Sequence, residues 1–206
     1  MPTLEIEAQH KGLVGGVDEA GRGPWAGPVV AAVAVFLEPT TLSSFFLEAI
    51  HDSKKLTKAK REYLYDKLLE LKSFCYGTGS ASVEEIDALN ILKATFLAME
   101  RAVFSLAKRP DVLLVDGKFI PTFKGIQAYP VVGGDTLSLS IAAASIFAKV
   151  SRDRMMEKLA QEYPFYGWER NAGYGTAHHH AALKAHGVSP HHRRSFAPVK
   201  ALSTRS

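Results

Sequence analysis

The sequence predicts an α/β or α+β domain, a mixed central sheet with helices on its faces. Three observations carry this. Two Val-rich apolar runs, Leu13 to Val17 and Val29 to Phe36, stand at the front. Helical patterns follow from Lys58 onward. A further apolar run, Asp111 to Val115, returns after a helical pair. At 206 residues and 47% hydrophobic, the chain suits one compact domain with a real core.

The elements follow in order. Met1 to Gly12 is polar and expected to fray. Leu13 to Val17 is the first strand, and Val29 to Phe36, ending before Pro39, is the second. Thr40 to Ile50 is mixed, with room for a short helix, and His51 to Thr57 is a polar loop. Thr57 can cap a helix from Lys58 to about Leu71, with Leu64, Leu68 and Leu71 on one stripe. Ser73 to Ala81 alternates loosely, as a strand does. Ser82 and Glu85 form a capping box for a helical pattern that breaks near Asn90 and runs to about Lys108, before Pro110. Asp111 to Val115 and Ile126 to Val132 are short strands. Thr136 to Tyr163 is one long helical pattern, rich in Ala and Ser at its start. An aromatic and Gly-rich loop leads to a helix over Thr176 to His186, closed by Gly187, and then a basic tail.

The formal charge is +4, which permits a nucleic-acid partner without proving one. Its distribution says more. From Gly167 onward Glu169 is the single acid, among Arg170, Lys184, Arg193, Arg194, Lys200 and Arg205. A lone cysteine, Cys75, excludes an internal disulfide and reads as a small buried apolar residue. The N-terminus lacks a signal-peptide pattern, and the longest apolar run, Val29 to Leu37, is too short to cross a bilayer. A cytoplasmic protein, monomeric by default and without a membrane partner, is expected.

The stretch Val14 to Pro28 organises the chemistry. An apolar run leads into adjacent carboxylates, Asp18 and Glu19, then a small-residue turn, Ala20 to Pro24. Burying two charges is costly unless they are paired or bind metal. Asp116 closes Asp111 to Val115 as Asp18 closes the first strand. If those strands are parallel neighbours, their acids meet at one sheet edge, where ligands bind in open α/β sheets. The bland alternative for Asp116 is an ordinary turn residue before Gly117. Asp135, after Gly133-Gly134, reads first as the N-cap of the long helix. Asp153 lies eighteen residues on, roughly 27 Å along an unbroken helix, so it cannot share a metal site with Asp135 and pairs with Arg152 or Lys149 on a solvated face. Converging acids in a net-basic chain suggest phosphoryl transfer assisted by two divalent ions. Oxygen-only ligands favour Mg²⁺ or Mn²⁺ over Zn²⁺.

Other features carry weaker signals. His178-His179-His180 lacks metal-ligand spacing and reads as a solvated or phosphate-facing patch. His191 to Arg194, like Lys54 and Lys55, is phosphate contact or plain soluble surface. Tyr174, between Gly173 and Gly175, is a core residue or a ring that stacks on sugar or base. Gly21 to Ala26 matches a dinucleotide-binding fingerprint, but a strand follows it where a helix is needed, and Asp18 and Glu19 would face the pyrophosphate.

With these residues in place, the chain closely resembles type 2 ribonucleases H, the bacterial ribonuclease HII family. The matching motifs are GVDEAGRG (Gly16 to Gly23), DSKKL (Asp52 to Leu56), VDGK (Val115 to Lys118), Gly134-Asp135 with SIAAASIFAKVSRD (Ser140 to Asp153), GYGT (Gly173 to Thr176) and HRRSF (His192 to Phe196). They run in family order from about Gly12 to Val199. The resemblance implies an RNase H-like fold, one domain over 12–199, with a C-terminal helical portion from about 156, a flexible segment over 1–11 and a tail over 200–206. It implies catalytic metal-binding acids at Asp18, Glu19, Asp116 and Asp135, against the N-cap reading of Asp135, with Mn²⁺ or Mg²⁺ as cofactor. It implies cleavage of RNA in RNA/DNA hybrids and incision 5′ of ribonucleotides embedded in duplex DNA, leaving 3′-hydroxyl and 5′-phosphate ends. The Gly21-Arg22-Gly23 turn is expected to read the ribose 2′-OH, largely through backbone, and Tyr174 to pack on the neighbouring sugar. Ser53, Lys54 and Arg193 match positions near the nucleic-acid backbone. Asn171-Ala172 departs from the His-Lys of many relatives, a lost lysine that Arg170 could offset. No glutamine-plus-double-aromatic peptide stands at the C-terminus, which speaks against a sliding-clamp tether by that route.

Overall fold

A computed structural model describes residues 1–51 and 53–203. Asp52 of the DSKKL motif, and Arg205 with the last residues of the expected tail, lie outside the described residues.

Five strands form one mixed sheet in the order β3-β2-β1-β4-β5. They are β1 (Val14–Ala20), β2 (Val29–Phe36), β3 (Phe74–Ala81), β4 (Val112–Asp116) and β5 (Gln127–Val131). β1, β2 and β3 pair antiparallel, whereas β4 is parallel to β1 and β5 parallel to β4. The eight residues of β2 are all buried because both faces are covered. Val29, Ala31, Val33 and Val35 pack with helix α4 (Ile91–Phe104). Ala32, Ala34 and Phe36 pack with helix α5 (Leu139–Glu162). That alternation is the two-residue period of a strand.

Small residues let both helices approach closely. A Cβ on Gly16 of β1 would stand 2.2 Å from the backbone of Ser140 and Ile141 in α5. This explains the Ala- and Ser-rich start of that helix, whose residues Leu139 to Ala148 are all buried. The helices between β2 and β4 are α1 (Ser44–Ala49), α2 (Lys58–Leu69), α3 (Val83–Leu89) and α4. Thr57 caps α2, the Ser82–Glu85 box caps α3, and Asn90, at φ 71°, ends α3 while its side chain caps α4.

The structure corrects several boundaries. β1 continues to Ala20, so Asp18 and Glu19 lie within the strand rather than after it. α5 begins at Leu139 with Ser138 as its N-cap, not at Thr136. The aromatic loop contains a short helix α6 (Trp168–Asn171), and the basic tail contains a helix α8 (Ala197–Ser203). Met1 to Gly12, expected to fray, makes contacts with the domain. Thr3 bridges to the start of α5, and the buried Glu7 carboxylate accepts from both Ser138 and Ser140. The C-terminal portion, with α7 (Ala177–His186), packs Trp168, Tyr166 and Leu183 against Met156 and Ala160 of α5. Among the described residues no helix is long and apolar enough to cross a membrane.

Candidate active site

The parallel register of β1 and β4 pairs Val17 with Val115, so the next residues, Asp18 within β1 and Asp116 at the end of β4, stand side by side. β5 ends beside them and leads into the turn Gly134–Thr136, which carries Asp135. The Gly134 N–H donates to Asp116 Oδ1 at 2.7 Å and ties that turn to β4. One carboxylate oxygen from each of Asp18, Asp116 and Asp135 lies within 4.8 Å of the others. The expected convergence of Asp18 and Asp116 is present. Asp135 joins them, so the N-cap reading of that residue is corrected.

Glu19 stands apart. Successive strand residues point to opposite faces, so Glu19 faces away from Asp18. It lines a small cleft with Asp116, Lys118, Phe119 and residues of α4. Its Oε1 is 3.3 Å from Arg22 Nη1. The structure thus gathers three of the four predicted acids and leaves the fourth on an adjoining wall.

The electrostatics favour a cation among these acids. Burial pushes the Asp18 carboxyl well above the ordinary aspartate range, and the charges of Glu19, Asp116 and Asp135 push the same way. The Glu19 N–H, at 2.7 Å from Oδ1, opposes this only in part. Burial also raises Glu19, while Arg22 pulls it down. The Nζ of Lys54 is 3.6 Å from Asp135 Oδ2. A site that disfavours its own negative charges, built of carboxylate oxygens, suits a hard divalent cation.

The remaining predicted contacts divide. Gly21, Arg22 and Gly23 turn directly off β1, with Gly21 at φ 96° and no room for a side chain because Arg152 Nε lies 1.9 Å from where its Cβ would be. Tyr174 is 48% exposed, and its ring lies 3.5 Å from the position a Cβ on Gly23 would take. The turn and the ring therefore line one surface. Ser53 is buried, its N–H donating to Ser145 and its carbonyl accepting from Arg61.

Arg193 corrects an expectation. It is fully buried and cannot lie along a nucleic-acid backbone. Its guanidinium donates to the carbonyls of Gly21, Arg22, Gly27 and Pro28 at 2.6–3.2 Å. Burial, with the neighbouring Arg152 charge, lowers its pKa to about 9. Arg152 behaves alike. It does not pair with Asp153 but donates to the carbonyls of Ala26, Pro28 and Ala172, and burial lowers it to about 10. Asp153 instead bonds Lys149 at 2.7 Å and lies 3.7 Å from Arg61.

The histidines are corrected too. His179 and His192 are buried, their Nε2 atoms 2.9 Å apart, with Trp168 Nε1 donating to His179. Desolvation lowers both, His192 to about 3. These two are structural, whereas His178 is exposed and His180 half-buried, so the solvated reading fails for His179 alone of the three consecutive histidines. Asn171 bridges the Tyr166 carbonyl and the Gly173 N–H, and Ala172 adopts φ 47°, so the departing pair shapes the Tyr174 loop. Sequence reasoning missed Arg152 as a buried anchor of these carbonyls, because it stands among Lys149, Asp153 and Arg154 like a residue of a solvated face.

Comparison with known proteins agrees with this geometry. The model of the family described as Ribonuclease HII matches residues 15–199. A protein named Ribonuclease HII from Gluconobacter oxydans is 53% identical over 97% of this chain and 95% of its own length. Another, from Paramagnetospirillum magneticum, is 56% identical over 97% of each. The solved structure of ribonuclease H2 from Pyrococcus horikoshii OT3 is similar with a TM-score of 0.75 and 30% identity, over 94% of this chain and 98% of that one.

Proposed function

The chain belongs to the ribonuclease HII family, and on that premise we propose that its acidic site uses Mn²⁺ or Mg²⁺ to cut 5′ of single ribonucleotides in duplex DNA as well as RNA in hybrids. Membership makes it an endonucleolytic hydrolase of the ribonuclease H type, with an RNase H-like fold and activity on RNA/DNA hybrids. The observation that carries the finer reading is the set of three acidic oxygens within 4.8 Å, at the edge of the turn that precedes β2.

Asp18, Asp116 and Asp135 would hold the divalent ions, and Glu19 would complete the set by turning from Arg22. Such ions, when bound, supply charge stabilisation to the attacking and leaving oxygens of an in-line displacement. The chain's own part is positioning. β1 and β4 fix Asp18 and Asp116, and the Gly21-Arg22-Gly23 turn and the Tyr174 ring, which line one surface, would frame a neighbouring sugar. Products would carry 3′-hydroxyl and 5′-phosphate ends. Lys54, exposed beside Asp135, would meet a phosphate. We take 12–199 as one functional domain, cytoplasmic and monomeric.

The test is a labelled duplex carrying one ribonucleotide, incubated with and without Mn²⁺. Cleavage 5′ of the ribonucleotide only with the ion is expected. Metal-independent cutting, or cutting of long hybrids alone, would refute the finer reading.

A further inference from the structure

We propose that Arg193, a buried residue that touches no substrate, sets the ribonucleotide preference by fixing the direction of two backbone N–H groups. The inference rests on the proposed reading of the Gly21-Arg22-Gly23 turn as the sensor of the ribose 2′-hydroxyl.

Arg193 Nη2 lies 2.6 Å from the Gly21 carbonyl oxygen, and Nη1 lies 2.9 Å from that of Arg22. In a planar trans peptide the C=O and N–H point in opposite directions. Drawing both carbonyls inward therefore turns the N–H groups of Arg22 and Gly23 outward. Both residues are exposed, and among the described residues neither N–H donates to a backbone or side-chain acceptor. The Tyr174 ring lies over the same surface at Gly23. The turn thus presents two unused donors and no inward escape for them.

The chemistry of those donors selects the ligand. A 2′-hydroxyl oxygen accepts from N–H groups; a deoxyribose offers nothing at that point. A donor pair left facing a C–H loses its hydrogen bonds with water and gains none. Were the peptides free to flip, the carbonyls would face the sugar instead and the discrimination would weaken. Arg193 opposes that flip because its buried guanidinium would lose the Gly21 and Arg22 carbonyls, two of its four acceptors. Arg152 holds the same frame from the other side, through Ala26, Pro28 and the Ala172 carbonyl next to the Tyr174 loop. Trp25 N–H donates to the Gly173 carbonyl at 2.8 Å and links the two loops directly.

The experiment compares wild type, Arg193→Lys and Arg193→Met. Binding is measured in Ca²⁺ to two duplexes of one sequence, all-DNA and with a single ribonucleotide, after circular dichroism has established folding. Arg193→Met is expected to lose roughly ten- to hundredfold of the ribonucleotide preference, with all-DNA affinity within about twofold of wild type. Arg193→Lys, which keeps donors for some carbonyls, should recover part of the preference. A general packing defect would lower both affinities together. A folded Arg193→Met with the wild-type preference overturns the proposal. If that variant does not fold, the ¹⁵N-labelled wild type decides. The Arg22 and Gly23 amide signals must shift more with the ribonucleotide duplex than with all-DNA, and equal shifts overturn the proposal. A wild type with no preference overturns both this inference and the reading it rests on, whereas a wild type with preference beside an unchanged variant overturns this one alone.

Discussion

Replacing Asp18 with Asn should make the metal-free protein more stable. Asp18 is 3% exposed, and its oxygen lies within 4.8 Å of oxygens on Asp116 and Asp135. Two full charges at that spacing repel by about 3.5 kcal/mol at an effective dielectric constant near 20. The metal-free site can escape by keeping Asp18 protonated. Holding that proton at pH 7 on a group of ordinary pKa near 3.9 costs about 4 kcal/mol, which caps the penalty. Asn keeps the shape and the acceptor for the Glu19 N–H and removes the charge. A gain of about 2–4 kcal/mol is expected. The direction of the pKa shift adds a pH signature. The folded carboxyl sits above its unfolded value, so the folded chain holds a proton the unfolded chain has released. This group's contribution is therefore most favourable below about pH 4 and declines as pH rises toward the folded pKa. Urea unfolding in EDTA from pH 4 to pH 8 reads both effects. Adding Mn²⁺ should reverse the order, stabilising wild type and leaving Asp18→Asn nearly unchanged. An Asp18→Asn protein less stable than wild type in EDTA at pH 7 would refute the repulsion argument.

Two further outcomes follow from packing and burial. Gly16→Ala would force β1 and α5 apart by about an ångström, since its Cβ would meet backbone at 2.2 Å where ordinary contact begins at 3.4 Å. We expect a loss of about 3 kcal/mol or more, read by denaturant midpoint, together with weaker Mn²⁺ binding, because α5 follows directly on the Asp135 turn; wild-type stability would show that the helix approach is slack. His192, lowered to about 3 by burial, binds its proton only in the unfolded chain between about pH 6.5 and 3, so this contribution to stability falls as pH drops through that window. His192→Gln should flatten the acid limb of a stability–pH curve, and an unchanged limb would assign it to other groups.

Much of the site was legible because its signals are local. A strand ending in acids, twice, already suggests two carboxylates at one edge, and the parallel pairing of β1 with β4 realises it. Caps at Thr57 and Ser82 were readable for the same reason, since each bond spans three residues. Even the parting of Asp18 from Glu19 lies in the strand period, although adjacency invites reading them as a pair. Asp135 was not legible without the family resemblance, because an Asp before a helix has the ordinary explanation of a cap; Ser138 takes that role only once the turn is drawn against Asp116.

The basic end of the chain shows the opposite limit. Its composition alone set its charge and its single acid, and its pattern set the helix over the histidines. Composition also suggested a solvated surface, and for His179, His192 and Arg193 that was reversed by folding. The reason is physical. A buried cation needs acceptors, and those of Arg193 are carbonyls of a turn more than 160 residues earlier. Sequence pattern fixes which residues can form an element and which face is apolar, because those depend on neighbours in the chain. Whether a polar group is buried or wet depends on partners brought from elsewhere, and only the assembled sheet, α5 and the C-terminal helices supply them.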